Sequence, residues 1–242
     1  MNKVIQGDCL EKLKELEDNL IDLTVTSPPY DNLRTYNGYT FNFEGISKEL
    51  YRVTKQGGVV VWVVGDATIN GSETGTSFKQ ALYFKEIGFN LHDTMIYQKS
   101  CYVPKTHNRY EQEFEYMFVF SKGKPKIFNP KMKTNLLKIG DTTGRHTQAN
   151  GSKKKLSAKR KEKSIETNIL KFNPDKYNSH PAPFPEKLAE DHILSWSNEG
   201  DTVLDPMAGS GTTLKMAKKN NRNYIGIEIS PEYIEIINKR LN

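Results

Sequence analysis

The stretch from Thr202 to Leu241 constrains the fold more than any other part of the chain. A short apolar strand at 202–204 runs into Asp205-Pro206-Met207-Ala208-Gly209-Ser210-Gly211, and a helix at 212–219 follows at once. A second strand spans 224–229. Ser230 then caps a last helix with Pro231 at its first position, where a missing N–H costs nothing. Tyr233, Ile236, Ile237 and Leu241 form the apolar face of that helix. Strand, tight turn, helix, strand and helix with short links is the signature of parallel strands joined by right-handed crossovers. The chain is therefore predicted to be an α/β protein with a Rossmann-like, mostly parallel sheet and helices on both faces.

The N-terminal half follows the same grammar. A short strand at 4–5 ends at Gly7-Asp8, and a helix with Leu10, Leu13 and Leu16 on one side follows, with Asp8 and Glu11 at capping-box spacing. A buried strand at 21–26 leads straight into Ser27-Pro28-Pro29-Tyr30. A helix at 46–53 comes next, and Gly57-Gly58 turns the chain into 59–64, an unbroken apolar run suited to the middle of a parallel sheet. A helix around 78–87 and strands at 90–98 and 114–120 complete a sheet of seven strands, with 114–120 antiparallel at one edge.

Residues 122–171 break this pattern and divide the chain into segments 1–121, 122–171 and 172–242. The chain of 242 residues has a net charge of +6, but residues 121–171 hold fifteen Lys and Arg against three acids, a net of +12 that leaves −6 for the rest. One basic face on a mildly acidic body suits a polyanion such as DNA. Lys153, Lys154, Lys155, Lys159, Arg160 and Lys161 are its densest part. A solvated insertion with too few apolar residues for a core of its own is the alternative. Cys9 and Cys101 match no disulfide framework or metal spacing, and no metal site is expected. No apolar run approaches the roughly 20 residues of a membrane span, so a cytoplasmic protein without a membrane partner is expected.

Two sites follow from these placements. Gly209 and Gly211 let the backbone of the 205–211 turn approach a ligand closely, and Thr212 opens a helix with unused N–H groups. Glu228, 23 residues after Asp205, stands where a Rossmann-like sheet places the acid that holds ribose hydroxyls. Asp8 closes a third strand and could contact a nucleoside, cap its helix, or do both. His180-Pro181-Ala182-Pro183-Phe184-Pro185 could wall the same pocket or serve as a rigid linker. At the other site, two prolines after Ser27 remove N–H donors and hold the chain extended. What remains is acceptor-rich: the Ser27 hydroxyl and neighbouring carbonyls suit an amine conjugated to an aromatic ring. Tyr30 offers a face on which an extruded base can stack; a rigid loop with a packing tyrosine is the plainer reading.

Thr26-Ser-Pro-Pro-Tyr30, followed much later by Asp205-Pro-Met-Ala-Gly-Ser-Gly-Thr-Thr213, resembles the β-class DNA amino-methyltransferases. In that class the catalytic motif precedes the cofactor motif, with the target-recognition region between them, a permutation of the usual methyltransferase order. The resemblance covers nearly the whole chain and implies S-adenosylmethionine as cofactor and double-stranded DNA as substrate. It makes 1–121 the catalytic half, 122–171 the target-recognition region and 172–242 the cofactor-binding half. It implies that Ser27 and the Pro28 carbonyl accept the target amine, with Pro29 and Tyr30 completing the catalytic motif. Asp8, Ser27, His180, Phe184, Asp205, Pro206, Met207, Gly209, Gly211, Thr212 and Glu228 are implied as the cofactor-binding set. Met207 departs from the Phe that many relatives carry. Ser at position 27 is associated in the family mostly with N4 of cytosine and Asp with N6 of adenine. The expected function is N4-cytosine methylation, with N6-adenine methylation as the alternative and RNA or a protein amide as more distant substrates. A cognate restriction endonuclease and a second copy of the chain are the further partners such an enzyme could have.

Overall fold

The computed structural model describes residues 2–29, 41–100, 108–135, 141–148, 150–159, 161–173 and 185–242. Residues 1–129 and 168–242 make one compact unit and residues 130–167 a second. The larger unit begins with β1 (Asn2–Gln6), α1 (Cys9–Lys14), β2 (Ile21–Thr26), α2 (Phe43–Val53) and β3 (Thr54–Val64). A small hairpin of β4 (Thr68–Ile69) and β5 (Ser72–Glu73) follows, then α3 (Thr76–Glu86), β6 (Asn90–Lys99) and β7 (Phe114–Ser121). The second unit holds β8 (Met132–Thr134), β9 (Asp141–Thr147), β10 (Lys153–Lys159) and β11 (Lys163–Ile165). The chain returns through β12 (Ile169–Phe172), α4 (Glu186–Trp196), β13 (Thr202–Asp205), α5 (Thr212–Lys219), β14 (Asn223–Glu228) and α6 (Pro231–Leu241).

The central sheet has the order β1-β14-β13-β2-β3-β7-β6-β12. All neighbours pair in parallel except β7, which is antiparallel to both β3 and β6. Leu13, Ile46, Leu50 and Phe84 of α1–α3 cover one face, packing on Val60, Trp62, Val64, Phe120 and Ile227. Leu188, Ile193, Leu214, Ala217, Ile237 and Leu241 of α4–α6 cover the other, against Leu23, Val25, Val61, Val63 and Val119. The unbroken apolar run of β3 thus divides between two cores, its alternate side chains serving opposite faces.

Three expectations need correction. The sheet has eight strands rather than seven, because β12 pairs with β6. Only Leu170 and Phe172 of this four-residue strand are buried, too little to stand out from a lysine-rich stretch. β7 is interior, not an edge: Met117 to Phe120 are all buried, as a strand covered on both faces requires, whereas β6 alternates. Gly57-Gly58 does not precede β3 but lies within it. The pairing with β2 jumps from Ile21↔Thr54 to Leu23↔Val59, a bulge that Gly57 permits with φ +80°.

In the second unit β9 and β10 form an antiparallel hairpin, and β8 pairs with β11. Met132 and Ile165 of this unit are exposed.

Candidate active site

Four parallel neighbours, β1, β14, β13 and β2, end at one edge of the sheet, and each delivers a polar group there. Gln6 pairs with Glu228, so Gly7-Asp8 and Glu228 leave adjacent strands at one level. Asp205 pairs with Gly226, and Leu204 with Thr24, which puts Asp205 beside the exit of β2 at Thr26-Ser27. The chain leaves β2 for β3 through α2 on one face and β13 for β14 through α5 on the other. The crossovers diverge between β13 and β2, which opens the crevice where sheets of this kind bind ligands.

Asp205 is the pivot of this edge. Its Oδ1 accepts from the Thr26 hydroxyl at 2.7 Å and from the Met207 N–H at 3.2 Å, tying the turn to the strand that carries Ser27. Burial pushes its carboxyl up to about 6, against the pull of the Thr26 bond, and the negative charge of Glu228 pushes the same way. Beyond it, Gly209 (φ +51°) directs its N–H to Glu228 Oε2 at 2.7 Å. Gly211 sits at φ +80°, and a Cβ there would lie 2.9 Å from Ile237 Cγ1, so both conformation and space demand glycine.

Glu228 ends β14 with only 9% of its surface exposed. Besides the Gly209 bond, its Oε1 accepts the N–H groups of Ile229 at 3.0 Å and Ser230 at 2.9 Å. Burial raises its pKa and these backbone bonds lower it. Three backbone donors thus fix the carboxylate, and its remaining lone pairs can still accept hydroxyl groups. Asp8 is exposed and caps α1, its Oδ1 accepting the Glu11 N–H at 3.1 Å, so the helix-cap role is present. The Gly7 N–H donates to the Glu228 carbonyl at 2.9 Å, locking these two strand ends together.

At the β2 exit Pro28 is buried, while Ser27 and Pro29 are half-buried. Pro206 and Thr212 are buried, and Met207 is half-buried against the core on the α1–α3 side. Tyr30, His180, Phe184 and Arg160 lie outside the described residues. Lys153, Lys154, Lys155 and Lys159 all fall on β10, Lys153 and Lys154 with exposed side chains, and Lys161 is exposed between β10 and β11. Among the described residues no group of three His, Cys, Asp or Glu could hold a metal, and no helix is long and apolar enough to cross a membrane.

Sequence reasoning missed three contributors. Thr26 gave a partial signal: buried hydroxyls are mostly hydrogen-bonded and Asp205 is its partner, whereas the buried Thr24 hydroxyl of the same strand has none among the described residues. Arg240 gave none, lying 28 residues beyond Thr212. Its Nη1 donates to the Ser210 carbonyl and hydroxyl, both at 2.8 Å, and its Nη2 to Glu186 Oε1 at 2.7 Å. Glu186 also takes the Lys215 ammonium at 2.7 Å, so α4, α5, α6 and the glycine turn share one ionic knot.

The DNA methylase family profile (N6_N4_Mtase) matches residues 21–239, spanning every strand end of this edge but the first. The chain belongs to the DNA methylase family. It is similar to the orphan methyltransferase M.BamHII of Bacillus amyloliquefaciens, 58% identical over 241 residues that cover 94% of this chain and 91% of the relative. Among solved structures it is similar to the PvuII DNA methyltransferase (cytosine-N4-specific), with a TM-score of 0.74 at 22% identity, covering 100% of this chain and 86% of that one. It is also similar to the M1.HpyAVI–SAM complex, with a TM-score of 0.67 at 26% identity and 100% of both chains covered. The protein is a DNA amino-methyltransferase that uses S-adenosylmethionine. The family match favours DNA over the RNA and protein-amide alternatives. The donor set fits the cofactor. A fixed carboxylate at Glu228 suits paired hydroxyls, the glycine turn permits close approach, and an acidic edge suits a cationic ligand.

Proposed function

We propose that the protein methylates the exocyclic N4 of cytosine within a specific sequence of double-stranded DNA. The observation that carries this reading is the convergence of Asp8, Glu228, Asp205 and Ser27 on one sheet edge, with Asp205 hydrogen-bonded to Thr26 beside Ser27. S-adenosylmethionine, when bound, supplies an electrophilic methyl group on a sulfonium sulfur. Glu228 would hold its ribose hydroxyls, Asp8 its adenine side, and the 205–212 turn its body, with residues 180–185 as a wall.

The chain's own work lies at Ser27-Pro28-Pro29. An exocyclic amine is a weak nucleophile because its lone pair is delocalised into the ring. The Ser27 hydroxyl and the Pro28 carbonyl accept its two N–H groups, which favours a pyramidal nitrogen and stabilises the positive charge that grows on it. In-line attack then needs mainly positioning, which the adjacent strand ends provide. Tyr30 completes the site as the stacking face for the flipped base. The preference for cytosine rests on Ser27, where the adenine enzymes mostly carry Asp.

Residues 122–171, which include the second unit 130–167 with its eleven Lys and Arg against three acids, supply the target-recognition region, and the lysines of β10 contact phosphates. The name of M.BamHII as an orphan methyltransferase favours activity without a paired nuclease. DNA from cells expressing the protein, digested to nucleosides and analysed by mass spectrometry, tests the base. N4-methylcytosine is expected; N6-methyladenine as the sole product would overturn the cytosine assignment.

A further inference from the structure

The β4–β5 hairpin belongs to the edge that carries Ser27. β3 is the parallel neighbour of β2, with Thr26 opposite Trp62, and it ends at Val64, two residues further on. Gly65-Asp66-Ala67 then leads into the hairpin, whose stem is closed by the Thr74 N–H on the Ala67 carbonyl at 3.0 Å. Its tip is Asn70-Gly71, with φ of +49° and +79°, the two-residue primed turn that best matches strand twist.

Residues 68–73 are all exposed, so this hairpin adds nothing to either core. It is nevertheless tied down at its base and tip. Asp66 accepts from the Ser77 N–H at 2.8 Å, the Ser77 hydroxyl at 2.5 Å and the Thr74 hydroxyl at 3.3 Å. The Arg109 guanidinium donates to the Gly71 carbonyl and lies 3.9 Å from the Glu73 carboxylate, which tempers that acid's repulsion of phosphates. The projection is braced, and it carries a β-branched apolar residue beside its tip, Ile69 at 55% exposure.

We propose that the tip of this hairpin enters the DNA duplex beside the target base, with Ile69 as the apolar wedge that occupies the stack when the base leaves it. The inference rests on the reading that Ser27 receives the flipped base, since only then does the duplex lie against this edge. Asn70 lies three residues on from Ala67, and at about 3.3 Å per residue the hairpin reaches about 10 Å. A groove of about 8.5 Å depth is within that reach. Apolar side chains inserted between base steps are an established way for proteins to open a stack.

The test compares two short duplexes carrying the methylated sequence mapped in cells that express the protein. In one the target base is paired; in the other it faces an abasic site and is already unpaired. Ile69→Ala should lower kcat/KM about tenfold on the paired duplex, change it less than about twofold on the unpaired one, and leave cofactor affinity unchanged, while Ile69→Leu keeps activity on both. Equal effects of Ile69→Ala on the two duplexes, or none on either, would overturn the wedge. Ser27→Ala serves as the control, because it should lose activity on both substrates. Full activity in that variant would instead defeat the reading of the site, which separates the two failures.

Discussion

At Asp205 burial works against ionisation, and the conflict is measurable. The side chain is 1% exposed and its carboxyl is pushed up to about 6 from an ordinary 3.8. Between those values the native protein binds the proton that the unfolded chain releases, so stability falls as pH rises through about 6 and stays lower above it. The difference corresponds to about 3 kcal/mol at pH near 7.5. Asn in its place keeps an acceptor for Thr26 and Met207 without the charge. Urea unfolding of Asp205→Asn should show a gain of about 1–3 kcal/mol at pH near 7.5 that vanishes near pH 4. A gain of the same size at both would contradict the buried-charge account. The sequence could show Asp205 at the end of a strand, but not that Thr26, 179 residues away, would donate to it.

Among the elements, β13-α5-β14 was the easiest to foresee, because strand, glycine turn and helix each carry an independent local signal. Its packing was not. Gly226 lies under α5 so closely that a Cβ there would meet Leu214 Cδ1 at 2.3 Å and Cγ at 3.1 Å. Gly226→Ala should destabilise the protein by about 1–3 kcal/mol in denaturant unfolding. Combining it with Leu214→Ala should recover part of the loss, as coupling between touching residues requires. Strictly additive losses would mean that the contact is not what limits the site. The β4–β5 hairpin was missed although Asn70-Gly71 is a strong turn signal, because its two-residue strands leave no hydrophobic alternation to read. The edge position expected for β7 failed for a different reason. Sequence order makes β6 and β7 neighbours, but only burial on both faces reveals which is interior.

For the whole molecule, the uneven charge was plain from the sequence, and the strands within residues 130–167 were not. A stretch such as Lys153-Lys-Lys-Leu-Ser-Ala-Lys159 has no apolar period, so its pairing with Asp141–Thr147 leaves no trace in composition. The chemistry, by contrast, was legible at two distant points, and the fold explains why: adjacency of β2 and β13 brings Ser27 and Asp205 to one edge although they stand 178 positions apart in the chain. The claim that this edge is where the amine is activated has a direct measurement, the comparison of Ser27→Ala with the parent in single-turnover methyl transfer and in calorimetric binding of S-adenosylmethionine. A hydrogen bond that matters most as charge develops should cost about 10²–10³ in rate when removed, with cofactor affinity changed no more than a few-fold. Transfer at a near-parental rate by a folded Ser27→Ala protein would contradict the account.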